Sequence, residues 1–114
     1  MKVIIAGSRN FNDYQTLKEV CDFMLSNQTE VEIVSGTARG ADQLGERYAK
    51  EKGYNIKQFP ADWSKGKGAG YIRNEDMGKY ADALIAFWDG KSKGTEHMIN
   101  LAKKRGLKVK VHKF

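Results

Sequence analysis

The run Ala83-Leu84-Ile85-Ala86-Phe87-Trp88 contains no polar side chain. Successive residues of a strand point to opposite faces, so a strand built from this run is apolar on both and needs cover on both. That places it at the centre of a parallel sheet between two layers of helix. The rest of the chain supplies the other parts. Residues 2–6 and 31–34 are short apolar, β-branched runs, while 54–59 and 107–112 give two further strand patterns. Between them lie helical periodicities. After Asn12-Asp13-Tyr14, the residues Leu17, Val20, Cys21, Met24 and Leu25 recur at three- and four-residue spacing, and Ser26-Asn27-Gln28-Thr29 ends that helix. A second helix is expected over about 40–52 with Gly53 as its stop, and a third over 71–80. The fourth is expected to start at Thr95 as N-cap, to present Met98, Ile99, Leu101 and Ala102, and to close at Gly106. Strands alternating with helices imply right-handed crossovers. The expected fold is therefore α/β: a single three-layer Rossmann-like domain over 1–114 with a mostly parallel sheet of about five strands. Leu107 to His112 alternates lysine with apolar residues and reads as an edge strand.

With 114 residues, 40% of them hydrophobic, the chain is long enough to bury a core. No apolar run approaches the roughly 20 residues that span a bilayer, and Met1 to Ala6 is too short for a signal sequence, so no membrane partner is expected. Cys21 is the only cysteine, which excludes an intrachain disulfide and a cysteine-based zinc site. A cytoplasmic setting follows most simply, with Cys21 as a small core residue. No metal site is expected, because neither histidine lies beside ligands at metal-binding spacing. The net charge of +6 favours acidic partners such as nucleotides or nucleic acid. Much of that excess lies in Lys103-Lys104-Arg105 and in Lys108, Lys110 and Lys113, a run that equally suits a solvated face.

In an open parallel sheet, ligands bind beyond the carboxyl ends of the strands. Four segments leave such ends: Gly7-Ser8-Arg9, Ser35 to Asp42, Asp62 to Arg73, and Asp89 to Thr95. Each is rich in Gly, Ser, Thr, Arg or Lys, which predicts one crevice rather than scattered turns. In the second segment, Ser35, Gly36, Thr37 and Gly40 break a strand and restart a helix, leaving backbone N–H groups free for an anion, and Arg39 adds a planar donor fork. Asp42 in the first helical turn is expected to cap it, with its carboxyl held low by the helix dipole. Trp63, set among glycine and lysine, is a candidate for stacking on a base. Arg73 and Asn74 are placed to reach phosphate and base edges, and Asp89, Gly90, Gly94 and Thr95 form a second phosphate or ribose contact. Neither G-x-G-x-x-G nor G-x-x-x-x-G-K-[ST] occurs, which argues against a routine dehydrogenase or P-loop NTPase.

The ordered set Gly7-Ser8-Arg9, Ser35 to Asp42, Gly70-Tyr71-Ile72-Arg73-Asn74, Ala81-Asp82 and Gly94-Thr95 resembles the SLOG superfamily, and within it the small YspA/YpsA-related, DUF2493-type group. The resemblance implies a Rossmann-like nucleotide-binding fold, with the Lonely Guy phosphoribohydrolases and DNA-processing protein A as distant relatives, and it implies self-association into a homo-oligomer. It also exposes a departure. The phosphoribohydrolase pattern P-G-G-x-G-T-x-x-E is matched at Gly94-Thr95, but Met98 stands where that pattern has its glutamate. The leading expectation is a protein that binds a nucleotide or nucleotide-derived small molecule as a sensor or sequestering module, with no cofactor. Two alternatives stay open. One is a nucleotide hydrolase using Arg73 with Asp42, Asp62 or Asp89. The other is a module binding single-stranded nucleic acid through Lys103 to Lys113.

Overall fold

A computed structural model describes residues 1–114. Five strands, β1 (Lys2–Gly7), β2 (Glu32–Ser35), β3 (Asn55–Gln58), β4 (Ala83–Trp88) and β5 (Lys108–Lys113), form one sheet in the order β3-β2-β1-β4-β5. Every pairing is parallel, as the alternation with helices predicts. Four helices connect them: α1 (Tyr14–Leu25), α2 (Ala41–Lys52), α3 (Ala69–Tyr80) and α4 (Lys93–Lys104). The apolar run at Ala83 is an interior strand and β5 is an edge, also as expected.

The pleat divides the core in two. Val3, Ile5, Ile33, Ala83, Ile85 and Phe87 face α1 and α2, where Leu17, Cys21, Leu25, Ala41, Tyr48 and Ala49 cover them. The alternate residues Ile4, Ala6, Val34, Leu84 and Ala86 face α3 and α4, against Met77, Met98, Ile99, Leu101 and Ala102. This is a three-layer α/β sandwich. Cys21 is fully buried, and burial pushes its thiol up to about 12, so it behaves as a small core residue.

Helix ends follow local chemistry. Asp13 caps α1 by accepting from the Thr16 amide, and Gly53 ends α2 in a left-handed conformation, its N–H bonding back to the last turn. Two boundaries differ from expectation. The segment before α3 is not wholly irregular: Trp63–Lys65 forms a 3-10 turn capped by Asp62, and α3 begins at Ala69 rather than Tyr71. Helix α4 begins at Lys93 with Ser92 as N-cap, so Thr95 lies inside the first turn instead of capping it. The Asp89 carboxylate decides this, because it accepts from the Lys91 and Ser92 amides at 2.8 Å each and winds the chain into the helix early.

Strand order reverses beside β1, since the first crossovers run outward to β2 and β3 and the next returns to β4 on the other flank. The segments leaving β1 and β4 therefore diverge and leave a crevice between them.

Candidate functional site

A cleft of about 460 Å³ opens at that point. Its walls come from three places: Gly7, Ser8, Arg9 and Asn10 after β1, Arg73, Asn74 and Met77 of α3, and Asp89, Ser92, Gly94, Thr95 and Met98 after β4. Ala6, Ala38 and Asp42 complete it. A second concavity of about 370 Å³, lined by Gly36, Thr37, Arg39, Pro60, Ala61 and Trp63, shares Arg9, Ala38 and Arg73 with the first.

Close packing dictates several of these residues. A side chain on Gly7 would place its Cβ 2.2 Å from the Phe87 carbonyl oxygen, so only glycine lets β1 end against β4. At Gly36 a Cβ would stand 2.8 Å from the Asp42 carboxylate and 2.9 Å from Arg73 Nη1, which is where the guanidinium enters the site. Gly40 combines φ of 78° with carbonyls of Ser8 and Arg9 at 2.5 and 2.6 Å from a virtual Cβ, so α2 starts hard against the loop after β1. Thr37 has φ of 65°, an unfavourable conformation for a β-branched residue that costs on the order of 1–3 kcal/mol. Strain of that kind persists where surrounding structure holds it, here through the Thr37 amide bonded to Ser35 Oγ at 3.0 Å.

Arg73 is the hub. Its Nη1 donates to the Gly36 carbonyl at 2.6 Å and its Nε to Asn74 Oδ1 at 3.2 Å. Asn74 is buried and in turn donates to the Gly94 carbonyl at 3.2 Å, with its amide nitrogen 3.1 Å from His97 Nδ1. One side chain thus ties the guanidinium to the start of α4 and requires Nδ1 of His97 to be the acceptor. The His97 ring lies against Tyr71 at 4.5 Å between centroids. Neither ring is among the site residues read from sequence, because they lie on separate helices, α3 and α4.

Electrostatics corrects a further expectation. Burial pushes the Asp42 carboxyl up to about 6, and the opposing pull of the Ala38 amide, the Arg73 charge and the Gly7 backbone does not cancel it. The helix-dipole argument predicts the reverse; desolvation is the larger effect at a side chain 5% exposed. Asp89 behaves oppositely. Its bonds to the Lys91 and Ser92 amides hold its carboxyl below the usual range, while Ser8 Oγ accepts from the Asp89 amide at 3.1 Å. Arg9 stands close enough to depress Arg73, whose charge burial already disfavours.

The candidates from sequence separate into three groups. Gly7, Ser8, Arg9, Asp42, Arg73, Asn74, Asp89, Gly94 and Thr95 meet in the larger cleft, and Gly36, Thr37, Arg39 and Trp63 meet in the smaller. Ser35 is buried beneath them and donates to Glu46 at 2.6 Å, so its hydroxyl serves the fold. Gly40 is the N-cap of α2, and Gly90, with φ of 82°, faces the Lys113 side chain. Asp62 is exposed, accepts from Ser64 N and Oγ, and lines neither hollow. Two amides of the expected cradle over 36–40 are taken up from within, Thr37 by Ser35 Oγ and Ala38 by Asp42. Met98 is buried among Ile99, Leu101 and Met77 as well as flooring the cleft. No three His, Cys, Asp or Glu side chains group at metal-ligand spacing.

A five-stranded parallel sheet with a cleft at its switch point defines a Rossmann-like α/β protein. The chain belongs to the YspA, cpYpsA-related SLOG family (YAcAr), whose model matches residues 1–66, from β1 through the 3-10 turn. It is similar to the Gene 61 protein of Mycobacterium phage D29, 36% identical over 116 aligned positions that cover 95% of this chain and 93% of the phage protein. Its fold is similar to that of DNA processing protein A from Helicobacter pylori, a structure described for its single-stranded DNA binding mode. That match has a TM-score of 0.72 at 23% identity, over 97% of this chain and 64% of the other. The chain therefore spans less than two thirds of that solved structure, and at this identity the likeness is one of fold.

Proposed function

We propose that the strand-end cleft binds a nucleotide or nucleotide-derived ligand, and that the protein acts by holding that ligand rather than transforming it. The observation that carries this is the gathering of Arg9, Arg39 and Arg73 around the site with no carboxylate at ion-pair distance. The ion pairs of the chain join other residues: Arg47 with Glu51, Lys52 with Asp22, and Arg105 with Glu75. Arginine clustered in a concave site, with Asp42 near Arg73 but outside ion-pair distance, favours phosphate, which its fork binds with two parallel hydrogen bonds. Family membership and the fold shared with a DNA-binding protein support a ligand of nucleotide chemistry.

Both carboxylates of the cleft serve the fold, Asp89 through Oδ1 alone, which leaves its Oδ2 for a ligand hydroxyl. Asp42 braces the Ala38 loop at 3.1 Å, and Asp89 winds the start of α4. A hydrolase needs a carboxylate free to assist water, and Met98 supplies none. Titration calorimetry with AMP tests the reading. Arg73→Ala is expected to weaken AMP by about 1.5–3 kcal/mol, the worth of hydrogen bonds to a charged group. Arg39→Ala, at an exposed residue with no bond in the fold, serves as a variant whose folding is not in question. AMP should come through prolonged incubation without release of adenine. Absence of binding at millimolar concentration by AMP and by a dinucleotide alike would defeat the proposal, and rapid adenine release would replace it with a hydrolase.

A further inference from the structure

The site is double. The larger hollow, beside Asp89 and Gly94, and the smaller, beside Trp63, meet at Arg9, Ala38 and Arg73, which line both. At about 460 and 370 Å³ each lies near the low end of the range of about 300–1,000 Å³ found for small-ligand sites. We propose that the ligand is a dinucleoside phosphate: one nucleoside in the cleft by Asp89, the second base on Trp63, and the bridging phosphate between them at Arg9 and Arg73. This rests on the nucleotide-binding reading and adds the class of ligand to it.

Three features argue for a two-ended ligand. First, the two arginines stand at the waist rather than at either end, which suits a phosphate flanked on both sides. Like charges brought this close repel, and a bridging phosphate, ionised at all ordinary pH, relieves that repulsion. Second, Trp63 is 57% exposed and its ring lies 3.7 Å from where a Gly70 Cβ would be, so the indole rests on the glycine start of α3 with much of its surface in water. An aromatic platform of this kind gains when a base covers it. Third, the ends differ in chemistry. The Asp89 end offers a carboxylate, Ser8 and Thr95, which suit ribose hydroxyls, while the Trp63 end offers an aromatic ring with Arg39. A mononucleotide occupies one end and leaves the other wet.

Calorimetry on the full chain with AMP, with P1,P2-di(adenosine-5′) diphosphate and with a single-stranded oligothymidylate tests this. Joining two half-sites through one ligand raises affinity by effective concentration, so the dinucleotide is expected to bind at least about tenfold more tightly than AMP. Trp63→Ala and Gly94→Val are each expected to cut dinucleotide affinity by about tenfold, one by removing a platform and the other by filling the opposite hollow. A side chain at Gly94 meets no protein atom within 4 Å, so the valine disturbs the cleft and not the core. Trp63→Phe, which keeps a platform, should retain most of the affinity. Equal affinity for AMP and the dinucleotide overturns the proposal and leaves nucleotide binding standing. So does a loss confined to one of the two variants, which would mean one hollow in use. Tighter binding of the oligothymidylate than of the dinucleotide overturns it in favour of a strand, and failure of all three probes removes both readings.

Discussion

At Asp42 a single carboxyl carries information that stability measurements can read. Its folded-state pKa of about 6 lies above the ordinary 3.8, so between those values the folded protein holds a proton that the unfolded chain has lost. Stability from this group is fully present below about pH 4 and falls as pH rises towards 6, by at most roughly 3 kcal/mol for a shift of about two units. Asp13, Asp22, Glu51, Asp62 and Asp89 have lowered pKa values and work the other way, their contributions being lost as pH falls into the acid range. Those terms are shared by the wild type and Asp42→Asn and cancel in their difference. Denaturant titrations across pH 4–7 should therefore give a wild-type-minus-variant difference that declines through that window. A flat difference would mean that Asp42 is not buried as described. The position of Asp42 beside a binding loop is legible in the sequence, but its proton affinity is not. The groups that desolvate it and oppose it, the loop after β1 and Arg73, are brought to it by the fold from distant parts of the chain. Arg73 and Gly36 were legible as site residues by type; their contact, 37 residues apart, was not.

Helix α2 illustrates the same distinction for elements. Its last turn and its stop at Gly53 follow from local sequence, whereas Gly45 in its middle looks like a defect, since glycine weakens a helix by about 1 kcal/mol relative to alanine. The sheet explains it: a Cβ at Gly45 would fall 2.7 Å from Ile5 Cγ2 and 2.8 Å from Ile5 Cβ, so the helix backbone packs directly on the Ile5 side chain. Gly45→Ala should destabilise by about 1–3 kcal/mol through overpacking, less the helix-propensity gain. Thermal melts decide the sign, and a raised Tm would show that the helix can lift away without cost. Strand positions were readable because β4, and β1 after its exposed Lys2, are buried on both faces and leave no polar side chain to blur the pattern. The segment between β3 and α3 was not readable in the same way. Its 3-10 turn depends on Asp62 accepting from Ser64 and on Gly66 at φ of 84°, neither of which has a periodic signature. The start of α4 escaped for a related reason. Ser92 and Thr95 are both good caps by type, and the Asp89 bonds select the earlier one.

Across the whole molecule, positive charge lies at both ends of the sheet, and only one end has the cleft. Helix α4 starts beside the site and runs back for 12 residues, a length of roughly 18 Å, to Lys103 and Lys104. Lys108, which opens β5, pairs in register with Ala83 at the opposite end of β4 from Asp89. Lys103, Lys104, Arg105 and Lys108 are thus set apart from Arg9, Arg39 and Arg73, whereas Lys113, at the other end of β5, lies beside Gly90 on the cleft's side of the sheet. The screening length near physiological salt is about 8 Å, so charges two or more such lengths away contribute little to holding an anion. Lys103→Glu with Lys104→Glu takes the net charge from +6 to +2, each reversal removing two charges. It also places acidic groups at a helix C-terminus, at a cost of about 0.3–1 kcal/mol each. At about 0.15 M salt the double variant should bind the dinucleotide within about twofold of wild type. At about 0.01 M, where the screening length grows to about 30 Å, binding should weaken, since the long-range field then reaches the cleft. A module that lays a nucleic-acid strand along Lys103 to Lys113 behaves differently. It gives up phosphate contacts in the variant, and its affinity falls at both salt concentrations along with the slope of log K against log salt. Calorimetry on the two proteins at the two salt concentrations separates these outcomes, and a tenfold loss at 0.15 M would move the binding surface from the strand-end cleft to the edge of β5.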